Sequence, residues 1–521
     1  MSELMQVHER FASILLRSCT DPDIDEEDKS LLHSLLVALS ETVVSGNSCF
    51  EVNKEILTLL ECLQSDLPWL AKDDDSADKN SLVVLKGSRL YLNKFYHAER
   101  DIESTLQKLS KVKESVDEEA IGDKISSLKY MSEAGEKVIL NSLRQNLSII
   151  TGGPGTGKTT IVVRVLALLI DRFHANGNDN VSIKILAPTG KAAARVKESI
   201  VTQKNQWLED LCGFDRKVVD AIPEVAHTVH QFLGINPQTG RSRYQGGKKA
   251  HVDIVIVDEA SMLAVILVKE LLAALRPTTR LILLGDPYQL ASVEAGNVLA
   301  QIVAASQLPT NEWLKHCCTE LTESYRFPQD SGIGLLAGAT NRGEADTVLG
   351  LLSNPDEPDV QTGLVDDSCE KAVGGYKAYK NAVLKARKQH QDQGNLSDAQ
   401  KLAVFNAFDA WQVFSPFRLG EYGVEGLNGF IEEALKLKEE GDWYFGKPVM
   451  ISSNDYSLKL FNGDIGICLD PEGKTVCFPA TDAPEGSKSA GFRDVGTRIL
   501  PDHQLVFAMT VHKSQGSEYE K

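Results

Sequence analysis

The chain has 521 residues, 42% of them apolar and 25% charged, with a formal net charge of −18. These are globular proportions at a length that suits about two to four domains, with no run near the ~20 apolar residues of a membrane span. The acid excess excludes a body coated with polyanion-binding surface but permits a narrow basic channel.

Residues 1–115 show helical spacing, with Leu at i, i+3 and i+4 in "DKSLLHSLLVALSETVV", and they are expected to form an N-terminal helical domain. Charges interrupt the apolar pattern of the first 21 residues, which makes a poor signal peptide. Pro68 and the acidic run "KDDDSADK" then break the pattern as a solvated loop. "LVVLKGSRLYLNKFYHAERDIESTL" reads as a short extended piece followed by a helix. Nine scattered cysteines, with Cys317 and Cys318 adjacent and no CxxC, favour free thiols in a reducing cytosol and a cytoplasmic protein.

From about residue 130 the texture becomes strand, loop, helix. "LSIIT", "SIKILAPT", "HVDIVIVDEA" and "RLILLGD" are β-branched apolar runs separated by helix-length stretches, the pattern of a parallel sheet in an α/β domain over 116–345. A second set, 346–521, opens with "WQVFSPF" and closes on the strand "HQLVFAMT". Between them "KPVMIS", "DIGICL" and "KTVCFPA" predict a small β barrel or sandwich inserted at about 443–500.

"GGPGTGKTT" (152–160) follows a strand and opens a helix, which is the setting that GxxxxGK[ST] requires. Gly152, Gly153, Pro154, Gly155, Thr156 and Gly157 form a loop whose amides can wrap phosphates, continued by Lys158, Thr159 and Thr160 at a helix N-terminus. Lys158 is the candidate for neutralising phosphate charge, and Thr159 with Asp258 the candidate pair for Mg2+. Asp258 and Glu259 end the buried strand "IVIV", so Glu259 is the candidate to polarise an attacking water. The next strand ends at Asp286, a candidate nucleotide-binding acid that with Gln289 three residues on can reach the γ-phosphate or its water, and Gln289 is the candidate sensor, or else a turn residue bonding the local backbone. Arg326 in "ESYRF" is a candidate arginine finger, although an isolated Arg is usually a surface partner.

Taken in order, "GGPGTGKTT", "APTGKAAARV", "HTVHQFLG", "VDEASML", "GDPYQLASVEAGNVLA", "ESYRF", "LNGFIEE", "NGDIG" and "TVHKSQGSE" resemble superfamily 1 helicases, and in detail the RecD branch, the alpha subunit of exodeoxyribonuclease V. The resemblance covers about residues 85–521. It implies a P-loop NTPase with two RecA-like motor domains, a small SH3-like β insertion and a hairpin insertion at about 235–251. It also implies ATP and Mg2+ as cofactors, and 5′ to 3′ movement on DNA, single-stranded or at duplex ends, in double-strand break repair and recombination. The expected partners are RecB-like and RecC-like subunits, with the N-terminal domain as the docking module and no membrane.

On the family's motifs, Thr510 and His512 match positions at the DNA strand, and Gln515, Gly516 and Glu518 match the loop facing the nucleotide. Thr189, Lys191, Arg195 and Lys197 are expected along the DNA path. Arg241, Arg243, Lys248 and Lys249 belong to a duplex-splitting pin or to a solvated charged loop. Two departures stand out. Glu136 occupies the place of an adenine-reading Gln, and nothing after Lys521 supplies motif VI, so the chain is expected to hydrolyse ATP weakly by itself. The rival readings are a non-catalytic nucleotide-binding subunit of such a complex and an unrelated P-loop ATPase.

Overall fold

The computed structural model describes residues 3–19, 24–63, 67–72, 81–112, 116, 121–122, 124–125, 132–210, 214–236, 238–292, 294–325, 331–354, 360, 365–438, 441–455, 457–480 and 491–515. The chain divides into two compact units, Met1–Pro188 with Val196–Arg326, and Thr189–Arg195 with Phe327–Lys521.

The first unit begins with the expected helices, Glu3–Arg17, Glu26–Val44 and Lys54–Cys62. Asp25 and Asn53 cap the second and third by accepting the amides of Asp28 and Ile56, and a leucine cluster that includes Leu32, Leu36, Leu39 and Leu60 fills the space between. The helical spacing did not reveal a four-stranded sheet against these helices. Its order is Cys49–Glu51, Arg89–Leu92, Val83–Lys86, Leu70–Lys72. The single extended piece expected before the long helix is a hairpin, because Gly87 (φ 57°) permits the reversal between two of these strands. The helix Asn93–Ser110 then packs Phe95, Ala98, Ile102 and Leu106 into the same core as Val268 and Leu271. This fixes the N-terminal module to the main sheet of the unit.

That main sheet has six strands, all paired in parallel, in the order Cys318–Leu321, Leu147–Gly152, Arg280–Gly285, Ile254–Val257, Ile183–Ala187, Ala226–Thr228. Alternation decides the faces. Leu147, Ile149, Val255, Val257, Leu281 and Leu283 feed one core, and Ile150, Ile254, Ile256, Ile282 and Leu284 the other. The four central strands are covered on both faces and read as near-continuous apolar runs, as parallel strands under helices do, whereas the edge strands Cys318–Leu321 and Ala226–Thr228 carry polar residues.

In the second unit, Val413–Ser415 and Ala508–Thr510 form a two-stranded parallel pair. A five-stranded antiparallel sheet runs Phe492–Gly496, Thr475–Pro479, Ile465–Cys468, Lys447–Ile451, His503–Leu505. "HQLVFAMT", read as one strand, therefore serves two sheets. His503–Leu505 completes the antiparallel sheet, Val506 and Phe507 are buried at the crossing, and Ala508–Thr510 joins Val413–Ser415. Asn428, on the helix Val424–Leu435, holds this last strand: its amide donates to the Ala508 carbonyl at 2.9 Å and its oxygen accepts the Ala508 N–H at 2.8 Å. Among the described residues no helix is long and apolar enough to cross a membrane.

Candidate nucleotide site

Small residues shape the phosphate loop because its backbone must bend sharply. Gly155 (φ 75°) and Gly157 (φ 78°) adopt the left-handed conformation that a Cβ disfavours. A Cβ on Gly152 would lie 2.7 Å from the Leu321 carbonyl oxygen. Thr156 is buried and donates to the Gly153 carbonyl at 2.9 Å, which closes the loop on itself. The helix Lys158–Ala175 starts here without a side-chain cap, so its first amides point toward the loop opening. Lys158 curls back and donates to the carbonyls of Gly152 (2.7 Å) and Gly153 (2.9 Å). Thr159 and Thr160 are half-buried in the same turn.

The two neighbouring strand ends supply acids. Asp258, 8% exposed, follows Ile254–Val257, and its Oδ1 accepts the Glu259 N–H at 2.8 Å. Glu259 has φ 52°, unusual for a residue with a Cβ, and this turns the chain abruptly out of the strand. Asp286 follows Arg280–Gly285 and accepts the Tyr288 N–H at 3.0 Å, and the Gln289 side chain also bonds its carboxylate. Gln289 thus bonds locally, and it bonds the very acid beside the phosphate loop. Burial pushes both carboxyls above their ordinary range, while their hydrogen bonds and the Lys158 ammonium oppose the rise.

Two buried acids facing one ammonium suit a further cation. Hydroxyl and carboxylate oxygens from Thr159 and Asp258, with phosphate oxygens, are the hard donor set that Mg2+ takes. No cluster of three or more His, Cys, Asp or Glu that could hold a metal occurs among the described residues, and a site completed by phosphate needs none.

Sequence reasoning missed Ser324 and Tyr325. The Cys318–Leu321 strand pairs with the phosphate-loop strand, Leu321 opposite Gly152, so the chain leaving it must run over the loop. Tyr325 donates its N–H to the Gly155 carbonyl at 2.9 Å, and the Ser324 hydroxyl donates to the Pro154 carbonyl at 3.2 Å. The only signal was the string "ESYRF", which drew attention to Arg326. Arg326, Gly516 and Glu518 lie outside the described residues.

The residues expected on a DNA path are divided between the two units. In the first unit, the 235–251 segment contains tight turns and no strand among its described residues; the Asn236 N–H donates to the Arg241 carbonyl at 3.0 Å. Arg241 is exposed, Arg243 donates to the Gln231 carbonyl at 3.0 Å, and Lys249 donates to the Ala273 carbonyl at 2.7 Å. Glu136 is exposed in the first turn of Glu133–Arg144.

In the second unit, Thr189 accepts the Ala192 N–H at 3.1 Å, a helix cap. Burial lowers the Lys191 ammonium and the Arg195 charge lowers it further, with Asp409 and Asp464 acting the other way. Thr510 likewise caps the short helix Val511–Ser514, and His512 is exposed. Both threonines therefore have a structural task of their own.

The AAA domain family matches residues 136–295, the segment that carries the phosphate loop and both acidic strand ends. Among solved structures, Bacteroides Pif1 bound to single-stranded DNA is 16% identical, with a TM-score of 0.36 over 75% of this chain and 84% of that one. The ATP-dependent RecD2 DNA helicase of Deinococcus radiodurans is 28% identical over 466 residues, covering 87% of this chain and 53% of that protein. RecBCD enzyme subunit RecD of Mycolicibacterium smegmatis is 32% identical over 515 residues, which is 95% of this chain and 84% of that protein. RecD of Haemophilus influenzae is 36% identical over 501 residues, which is 87% of this chain and 74% of that protein. A likeness of that depth, running through the N-terminal module, the phosphate loop and the second unit alike, means that the chain belongs to the RecD family.

Proposed function

We propose that this chain is an ATP-driven DNA helicase subunit of a RecBCD-type enzyme, moving 5′ to 3′ on single-stranded DNA during double-strand break repair, with RecB-like and RecC-like subunits as partners. The observation that carries the reading is Lys158 resting on the carbonyls of its own loop beside two buried acids. Those carbonyls are neutral acceptors, and entering phosphate oxygens would exchange for them with a large electrostatic gain. Lys158 then binds the phosphates, Thr159 and Asp258 hold Mg2+, and Glu259 polarises the attacking water. Gln289, bonded to Asp286, relays the state of the site along the loop that ends at Gly296. The Gly296 N–H donates to the Gly46 carbonyl of the N-terminal module at 2.9 Å, so a partner docked on that module has a backbone route to the sensor loop. Arg326 supplies transition-state charge, and Thr189, Lys191, Arg241, Arg243, Thr510 and His512 contact the strand.

The test is displacement of streptavidin from biotinylated oligonucleotides by the chain assembled with its partners. Movement 5′ to 3′ removes streptavidin from the 3′ end, with hydrolysis stimulated by the DNA. Displacement from the 5′ end alone would overturn the polarity, and hydrolysis indifferent to DNA would overturn the motor reading.

A further inference from the structure

The loop between Val413–Ser415 and Val424–Leu435 is built stiffly and yet turns apolar side chains to water. The Ser415 hydroxyl ties its ends, donating to the Tyr422 carbonyl at 2.8 Å and accepting the Phe417 N–H at 3.1 Å. The carbonyls of Phe417 and Arg418 accept the Val424 and Glu425 amides at 3.0 and 3.2 Å, so the loop backbone itself caps the helix. Gly420 (φ 96°) makes the turn, and a Cβ on Gly423 would sit 2.4 Å from the Leu419 carbonyl oxygen. With its backbone turned inward, the loop leaves Phe417 65%, Leu419 70% and Tyr422 41% exposed. A single exposed hydrophobic residue needs no explanation, but three within six residues on a locked loop do.

Two cations belong to the same end of the strand pair, Arg418 in the loop and Lys513 near it. Ser415 is in register with Thr510, so the loop and the segment Val511–Ser514 leave the same end of the parallel pair. Lys513 lies close enough to feel the Arg418 charge, while Arg418 meets Glu425 at 3.4 Å in an exposed pair. Such a pair contributes little and exchanges readily for a phosphate. Aromatic faces beside cations at the C-terminal end of parallel strands suit a strand whose bases are unstacked, and a duplex offers no such faces. Glu421 and Glu425 balance these two cations, so the patch stands near neutral in a chain of net charge −18.

We propose that the Ser415–Gly423 loop is a base-stacking element for single-stranded DNA, with Phe417 stacking on a base and Arg418 and Lys513 holding the adjoining phosphates. The inference rests on the DNA-motor reading above. It is tested by fluorescence anisotropy of labelled oligo-dT, and of an abasic tract of equal length, with the full chain. Phe417→Ala should weaken oligo-dT binding about five- to hundredfold, the measured range for loss of one stacked base. Phe417→Trp should restore it. The abasic tract should bind wild type and Phe417→Ala equally, which separates stacking from a general defect. Arg418→Ala should lower the salt slope by about one phosphate, roughly 0.7 in log–log terms. A wild type that binds oligo-dT tightly beside an equally tight Phe417→Ala overturns the stacking role, leaves the motor reading standing and returns the patch to a protein partner. A wild type that binds no oligo-dT overturns both.

Discussion

The phosphate loop and the Ser415–Gly423 loop are both turns at the C-terminal end of a parallel strand, and they use glycine in opposite ways. Gly155 and Gly157 take the left-handed turns that a Cβ disfavours, the helix behind them starts without a side-chain cap, and the side chains are minimal. Gly420 turns the backbone inward, the carbonyls of Phe417 and Arg418 are taken up by Val424 and Glu425, and large side chains face out. The first arrangement suits a ligand that carries charge and many acceptors, and the second suits one with flat apolar faces. On the proposed reading, the same fold element serves two different parts of nucleotide chemistry, phosphate and base.

The sharpest way to break this contrast is Lys158→Gln. It removes the charge at the phosphate loop and little packing, so hydrolysis should fall by two or more orders of magnitude while the melting temperature stays put. Oligonucleotide binding by the second unit should survive, and its loss together with turnover would show that the two loops are not independent. Turnover and a thermal melt read the first part, anisotropy the second.

Asn428→Leu attacks the second loop from behind. It leaves the Ala508 N–H and C=O without the amide that now satisfies both, at a cost of about 3 kcal/mol. Denaturant unfolding followed by a probe in the second unit should shift to lower concentration. Binding of a fluorescent ATP analogue should persist, since the phosphate loop lies in the first unit.

Asp258→Asn sharpens the account of the first site. Burial raises this carboxyl, so the ionised form costs stability in the folded chain at neutral pH. The variant should be more stable there by about 0.5–2 kcal/mol and should lose Mg2+-dependent hydrolysis. The sign with pH follows from linkage: the raised acid takes up protons in the folded state first, so wild type recovers stability as pH falls. The advantage of the Asn variant should vanish below about pH 4, near the ordinary aspartate value. Melting curves across pH check this, and an advantage that persisted in acid would mean that the carboxyl is not the cause.

Ser324→Ala should have the smallest effect. It removes one hydrogen bond to the Pro154 carbonyl, worth about 1 kcal/mol, and should weaken nucleotide affinity no more than about fivefold by titration.

The phosphate site was largely legible in the amino-acid sequence because its parts are local. Glycines at fixed spacing, a Lys and Thr at a helix start, and an acidic pair after four apolar residues are each contiguous, and each needs only its own strand and turn. The four central parallel strands were likewise visible as apolar runs, since burial on both faces favours an uninterrupted one, but the polar edge strands Cys318–Leu321 and Ala226–Thr228 were not. The N-terminal sheet showed only as one extended piece before the long helix, because its strands are three or four residues long and sit among helices whose period dominates. Lys191 read as a DNA contact by its string, yet it lies with Asp409 and Asp464, residues that are remote in sequence.

Tertiary structure alone decided the order of strands. Which strand lies beside the phosphate loop is set by hydrogen bonds between distant segments, and no spacing in the chain encodes it. That order is what lays Ser324 and Tyr325 over a loop about 170 residues away. It also splits "HQLVFAMT" between two sheets, because burying Val506 and Phe507 fixes where the chain crosses and backbone pairing on either side must follow. Local composition determined what each segment could be, and long-range pairing determined what each came to touch.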